Sequence, residues 1–458
     1  MRPQGAAVKI GASSVVSDTP VVIKGTMDAK KIKELLGLSP LSDAAMDSVA
    51  NGSSRILCIP VAASTGGTVG TVSKTGTGTG SCAASGAPYN IFSVIVKITG
   101  KGSLNSALFQ VSVDGGYSFS DELTIPLSGT YEIPSTGITL TFTAGTGENA
   151  ETDSFLIGDT YSFSTTAPAM TNADVIAAIA KIRNLAETFE LVHIVGESTA
   201  DLWAAVAAEQ LTLQNTYHKP ELFVLEAYAP NQNETAEAYA ARLIADRKNV
   251  KNYNIQVVSA RSLYVRMDGT TREVNNAGIV CGLYAAAKPQ QSIGQTNAFG
   301  ISSGKMLGLR PAGIEDCISD LDEAGFLTFR RYDGLDGYFV TNARVMCPDG
   351  SDYPYAEDVR ILNKIIRKGR AEALKQLQSG VDLEDVDGDL AAKAAFIQTP
   401  LDEMVRQKEI SAVTVTVPPD QDVQKTEAMQ VKVRYVSRGI VREIDIDVGQ
   451  TTAAASAS

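Results

Sequence analysis

The chain has 458 residues, enough for two or three domains with a sizeable core. Hydrophobic residues make up 44% and charged residues 20%, the balance of a globular protein and not of a disordered one. Forty cations against 52 anions leave a net charge of −12, which argues against nucleic-acid binding, and no apolar run is long enough to insert in a membrane.

The first residues, Met1-Arg2-Pro3-Gln4-Gly5-Ala6-Ala7-Val8-Lys9, lack the apolar stretch of a secretory signal, so folding in a cytoplasm is expected. Residues 1–20 are small, polar and only weakly strand-like around Val8 and Ile10, and read as an N-terminal arm with no face to build a core. Residues 21–61 close on the apolar strand Arg55–Val61. The texture then changes: residues 62–168 hold 16 of the 39 glycines, and their only cations are Lys74, Lys97 and Lys101. Alternating runs such as Phe109-Gln110-Val111-Ser112-Val113 and Ile138-Thr139-Leu140-Thr141-Phe142, separated by turns such as Asp114-Gly115-Gly116, predict an inserted all-β domain.

Helical patterns return at Asn172, a candidate cap for a helix through Ile182. Apolar strands beginning at Glu190, Glu221 and Ile255 alternate with helices over 200–217 and 234–249, which predicts βαβ units around a buried parallel sheet. Residues 21–61 and 169–354 thus form one discontinuous α/β core with a parallel or mixed sheet. A hairpin is predicted around Asp333-Gly334, then helices over 355–379 and 390–408. Strand patterns follow in which Val413, Val415 and Val417, then Val431, Val433 and Tyr435, then Ile444, Ile446 and Val448 alternate with polar residues. Residues 355–448 read as a C-terminal domain with a strand arm, and residues 449–458 as a disordered tail.

Little here supports catalysis, a cofactor or a metal. The five cysteines (Cys58, Cys82, Cys281, Cys317, Cys347) include no C-x-x-C pair and read as buried thiols. Of the two histidines, His193 sits inside an apolar strand, where a hydrogen-bonded core residue is expected, and His218 lies in a loop with no partner in view. Gly76-Thr77-Gly78-Thr79-Gly80 lacks the Lys-Ser/Thr of a phosphate loop, and the acidic run Asp382–Asp389 fails as a calcium loop at both ends. No Gly-x-Ser-x-Gly elbow is present.

On the helix over 355–379, Val359, Leu362, Ile366, Ala373 and Leu377 share an arc, while Arg360, Lys364, Arg367, Lys368 and Lys375 fall on the opposite face. A nearly pure cationic stripe in so acidic a protein marks a candidate surface for an acidic partner. At the ends of the chain, a short N-terminal strand and the C-terminal strands can satisfy one another between subunits by strand addition.

The run Gly337-Tyr338-Phe339-Val340-Thr341-Asn342-Ala343-Arg344-Val345-Met346, continued by Ser351-Asp352-Tyr353 and Asp358-Val359-Arg360-Ile361-Leu362-Asn363-Lys364-Ile365-Ile366-Arg367, resembles the C-terminal region of contractile tail sheath proteins of bacteriophages, prophages and phage-like bacteriocins. Phe155-Leu156-Ile157-Gly158-Asp159-Thr160-Tyr161-Ser162-Phe163-Ser164 is similar to a prophage subset of that family. The resemblance is strongest over residues 337–448. It implies an α/β core with variable inserted domains, and terminal arms that exchange strands with neighbouring copies. It further implies a helical array around an inner tube, with baseplate and tail terminator proteins as further partners and contraction as the function. Assembly would take place in a bacterial cytoplasm before the particle acts. On this reading Val8, Ile10 and the C-terminal alternating residues named above are arm residues, and the five cations are candidates for facing the tube. An α/β enzyme, betrayed by a polar pocket at the strand ends, and an adhesin-like surface protein are the alternatives.

Overall fold

The computed structural model describes residues 7–449, so the expectations for Met1–Ala6 and for a disordered end lie outside the described residues. The chain divides into two compact units, with the boundary between Arg367 and Lys368. In the first unit, β1 (Ala7–Ala12) and β2 (Val21–Lys24) precede two short helices. Helix α1 (Ala29–Leu36) starts where the Asp28 carboxylate accepts the Lys31 N–H; α2 (Pro40–Ala50) starts at a reciprocal Ser39–Ser42 capping box with proline in its first turn. Strand β3 (Arg55–Val61) follows.

The inserted segment forms two antiparallel sheets. Its strands are β4 (Ser73–Thr75), β5 (Ser81–Gly86), β6 (Ser93–Gly100), β7 (Leu108–Ser112), β8 (Leu123–Thr124), β9 (Thr130–Ile133), β10 (Ile138–Thr143) and, after the one-turn helix α3 (Ala150–Asp153), β11 (Thr160–Ser164). One sheet runs β5-β10-β9 and the other β4-β11-β6-β7-β8. Alternation buries one face of each around Phe109, Phe142 and Phe155, whose rings meet at 5.1 and 5.8 Å between centroids. This apolar cluster shares no residue with those of the α/β part.

The core resumes at α4 (Asn172–Ile182), where Thr171, one residue before the expected Asn172, is the cap and forms a reciprocal box with Asp174. Then come β12 (Leu191–Ser198), α5 (Ala200–Asn215), β13 (Leu222–Ala227), α6 (Ala236–Arg247) and β14 (Ile255–Val258). The six-stranded sheet has the order β14-β13-β12-β1-β3-β2, parallel throughout except for the antiparallel edge strand β2. Near-continuous apolar strands read correctly as a sheet buried on both faces.

One expectation fails. The N-terminal strand is not a loose arm: β1 lies between β12 and β3, and Val8, Ile10 and even Lys9 are fully buried. Residues 7–12 are the middle of the sheet, and their backbone groups are taken by two neighbours.

A second sheet, β15 (Arg261–Val265), β16 (Thr271–Asn275) and β17 (Met306–Arg310), has the order β16-β15-β17 and encloses in sequence the wholly apolar helix α7 (Ala277–Ala286). After α8 (Ile318–Glu323), the predicted hairpin reduces to β18 (Phe329–Arg330) paired with β19 (Phe339–Val340). Helix α9 (Ala356–Ala373) carries the chain out of the first unit and ends six residues earlier than expected. The second unit contains α10 (Val386–Arg406), β20 (Ala412–Thr416), the short α11 (Val423–Thr426) and β21 (Lys432–Val436), with β20 and β21 antiparallel.

Candidate assembly surfaces

A cavity of about 370 Å³ opens at the carboxyl ends of β1, β12 and β13, where parallel sheets commonly hold ligands. Beside it β12 bulges against β13 between Ile194 and Glu197, and Gly196 takes a φ of +112° there that only glycine adopts without strain. The charged side chains lining it pair with one another. Arg266 bridges Asp43 at 3.0 Å and Asp47 at 2.9 Å, and Arg261 bridges Glu197 at 3.2 Å and Glu273 at 3.1 Å. Burial raises the Asp47 carboxyl to about 6, against the pull of Arg266. The lining contains no Ser, Cys, His or Lys, and the Thr165 hydroxyl is taken up locally, donating to the Asn90 carbonyl and accepting the Phe92 N–H, each at 2.9 Å.

His193 lies in the strand behind this wall, fully buried as expected of a core residue. Its Nδ1 accepts from the Lys9 ammonium at 2.7 Å and its Nε2–H donates to Glu226 Oε1 at 3.0 Å. The glycine-rich loop is likewise filled from within: Thr77 and Gly78 donate backbone N–H groups to Asp159 Oδ1 at 3.0 and 3.3 Å. A carboxylate of the protein occupies the place a phosphate would take. Among the described residues no three His, Cys, Asp or Glu side chains group to hold a metal ion, and no helix is long and apolar enough to cross a membrane.

The inserted domain meets the core through polar groups. Asn90 donates to Asp43 Oδ2 at 2.6 Å, and Arg272 donates to the Ile91 carbonyl at 2.8 Å while also pairing with Asp43. Its two connecting strands pair at Thr65–Ala169 and Val69–Thr165, and Ser64 donates to Asp174 through both its N–H and its hydroxyl.

The cationic stripe of α9 is divided by the fold, which corrects the expectation of one exposed face. Arg360 is 1% exposed and holds Glu190 through Nε and a terminal nitrogen, both at 3.2 Å. Lys364 is buried. Arg367 donates to the Pro220 carbonyl at 3.2 Å and to Glu221 at 3.3 Å. Glu190 and Glu221 immediately precede β12 and β13, so α9 is anchored by charge to the amino ends of the core strands. Burial pushes the Glu190 carboxyl up, but Arg360 and Arg367 together pull it below its ordinary value; burial dominates at Glu221 and raises it to about 8. The apolar side also differs from the expected arc: Val359, Ile361 and Ile365 are buried, whereas Leu377 lies beyond the helix and is exposed. Lys368 is half-buried, and Lys375 is exposed and paired with Glu372 at 2.7 Å.

In the second unit the predicted alternation is present. Val413, Val415 and Val417, and Val431, Val433 and Tyr435, are half-buried, while Thr414, Thr416, Lys432 and Arg434 face out. The register pairs Val413 with Tyr435 and Val415 with Val433. Beyond β21, residues 437–449 form no regular element, and Ile444, Ile446 and Val448 are 76%, 78% and 85% exposed.

Comparison with known proteins places these surfaces in a family. Residues 2–344 match the family model described as DUF2586, N-terminal domain, and residues 352–455 match DUF2586, C-terminal domain. The chain belongs to the DUF2586 family. No curated protein sequence matches it. Among solved structures it is similar to a sheath tail protein from Desulfitobacterium hafniense, with a TM-score of 0.51 and 15% identity over 95% of this chain and 97% of that one. It is also similar to the PVC sheath complex of an extracellular contractile injection system in the contracted state (TM-score 0.55, 12% identity, 98% and 92% of the two chains). The helical sheath of the anti-feeding prophage, also contracted, gives a TM-score of 0.54 at 10% identity over 98% and 94%. These likenesses establish a shared fold along almost the whole chain.

Proposed function

We propose that the chain is a structural, non-catalytic subunit of a contractile tail sheath, polymerising as a helical array around an inner tube and driving that tube through a target cell envelope. The observation that carries this is the segment 443–448, whose alternating Ile444, Ile446 and Val448 are exposed, in a chain whose fold matches sheath subunits from end to end. Its sequence, Glu443-Ile444-Asp445-Ile446-Asp447-Val448, alternates acid with aliphatic, and β21 presents Lys432 and Arg434 alternating with Val433 and Tyr435. Laid beside β21 in a second copy, the segment sets carboxylates against cations on one face and aliphatic side chains against each other on the other.

Contacts of this kind repeat from copy to copy without closing, which builds a lattice. Two packings of rigid subunits that differ modestly in free energy then supply motion without nucleotide hydrolysis, while exchanged strands keep the lattice connected. Lys368 and Lys375 are the candidates for meeting acidic positions on the tube. Baseplate and tail terminator proteins complete the partners, with assembly in a bacterial cytoplasm before incorporation into a particle. Electron micrographs of the purified full-length protein test the reading: tubes or rings support it, and dispersed particles at concentrations of tens of micromolar count against it.

A further inference from the structure

The core sheet changes direction at β1. The chain passes from β1 to β3 on one side, while β12, β13 and β14 are laid down on the other. The carboxyl ends of the strands at such a reversal form the crevice in which open α/β sheets hold ligands. Here the ladder from β12 to β1 stops at Ile194, and the ladder to β13 skips Val195 and Gly196. The cavity of about 370 Å³ sits at that split, a volume in the range of small-molecule sites.

Its lining joins two chemistries. Met170, Val175, Ile194, Leu202 and Val274 supply an apolar part. Charges of both signs supply the other: Arg266 pairs with Asp43 and Asp47, and Arg272 pairs with the second oxygen of Asp43. Elsewhere in the lining, Arg261 pairs with the half-exposed Glu197 and Glu273, and Glu226 is tied through His193 to the Lys9 ammonium. The two carboxylates and two guanidinium groups around Asp43 balance, so a ligand of net charge would enter with nothing to offset it. These four are nevertheless incompletely bonded. Asp47 is 2% exposed, and among the described residues its Oδ1 finds no donor and the Nε–H groups of Arg266 and Arg272 find no acceptor. Each of these atoms is sealed from bulk water, and buried polar groups are nearly always partnered. A ligand suited to this wall offers a donor and an acceptor, opposite in charge and close together, on an apolar body.

We propose that the cavity binds a free α-amino acid with an aliphatic or thioether side chain. The carboxylate accepts from Arg266 and Arg272, the ammonium donates to Asp47, and the side chain packs beside Met170 and Ile194. Guanidinium and carboxylate groups both make strong, directional bonds to ionised partners, and a zwitterion meets both without adding net charge. The lining draws on the neck of the inserted domain at Ala167 and Ala169 and on the core at Asp47 and Arg266, so an occupant pins one to the other.

The test is calorimetric titration of the full chain at pH 8, above the value of about 6 at which Asp47 ionises. L-Leucine and L-methionine bind one to a chain. N-acetyl-L-leucine and L-leucinamide, each lacking one of the two charges, bind about ten-fold more weakly. Asp47→Asn weakens L-leucine by a similar factor. Ala167→Trp, on the half-buried neck, fills the cavity and abolishes the heat, and it carries the test if Asp47→Asn loses its circular dichroism signature. Saturating L-leucine slows hydrogen exchange at the Thr65 and Ala169 N–H groups, which bond across the neck. No heat with either amino acid overturns the proposal. So does L-leucinamide binding as tightly as L-leucine, the mark of a cation site, or N-acetyl-L-leucine doing so, the mark of an anion site. Heat unchanged in both variants overturns it as well, because the amino acid then binds elsewhere.

Discussion

Arg360 of α9 holds Glu190 at the foot of β12, the two side chains only 1% and 7% exposed. A charge pair so far from water is held less by its own attraction than by the cost of leaving either member alone. Arg360→Met should therefore destabilise the first unit by about 3–5 kcal/mol, and Arg360→Glu by more, because it sets a second carboxylate beside Glu190. The double variant Arg360→Met/Glu190→Gln should recover most of the loss. Urea denaturation midpoints of the three variants check this.

Removing residues 1–12 should abolish cooperative unfolding and not merely assembly. The deletion takes β1 from between β12 and β3 and leaves two strands with unpaired inner edges. Soluble expression and a thermal melt with a sharp transition would show that the sheet can close without β1.

Stability of the first unit should fall as pH rises through the acid and neutral range. Asp47 and Glu221 are carboxyls whose folded values are raised, from 3.8 to about 6 and from 4.5 to about 8. Between each pair of values the folded state binds more protons than the unfolded one, so deprotonation costs folding free energy. Asp47 faces Arg266, Asp43, Arg272 and Lys9, and their balance does not cancel its burial. Asp47→Asn should flatten the decline between pH 4 and 6, and Glu221→Gln that between pH 5 and 8, in melts followed by circular dichroism.

The joint between the inserted domain and the core should loosen without either part melting. Arg272→Gln removes the bond to the Ile91 carbonyl and the pair with Asp43, but leaves both apolar cores intact. Hydrogen exchange should quicken at Thr65, Gly70 and Ala169, whose N–H groups hold the neck together, and not at Val94 or Val192. Replacing residues 62–168 by a short Gly/Ser linker should likewise leave the core melt within a few degrees of wild type. Collapse of that melt would mean that the two cores are one.

The sequence made the βαβ strands and the inserted β domain legible because near-continuous and alternating apolar runs are local signals. It failed at Lys9. A lysine between Val8 and Ile10 marks a short polar strand when read alone, yet its ammonium is fully buried against His193, a partner 184 residues away. Arg360 misled for the same reason: helical periodicity assigns a face, but whether water or a carboxylate meets it depends on Glu190. The second sheet, β15 to β17, was missed because its strands mix charged with apolar residues and are split by α7.

Burying β1 between β3 and β12 also sets an order of events during synthesis. Ala7 pairs with Ile56 on one side and Leu191 on the other, so the strand emerges from the ribosome long before its second neighbour is made. In the interval the whole inserted domain is translated, and its self-contained core allows it to fold while β1 and β3 wait as an exposed two-strand edge. Closure of the sheet then spans a long loop, a slow step by topology, and slow closure is when two nascent copies can pair wrongly. The insertion shortens that danger: once folded, its paired neck holds Thr65 beside Ala169 and Ser64 on Asp174, and more than a hundred floppy residues become a rigid staple.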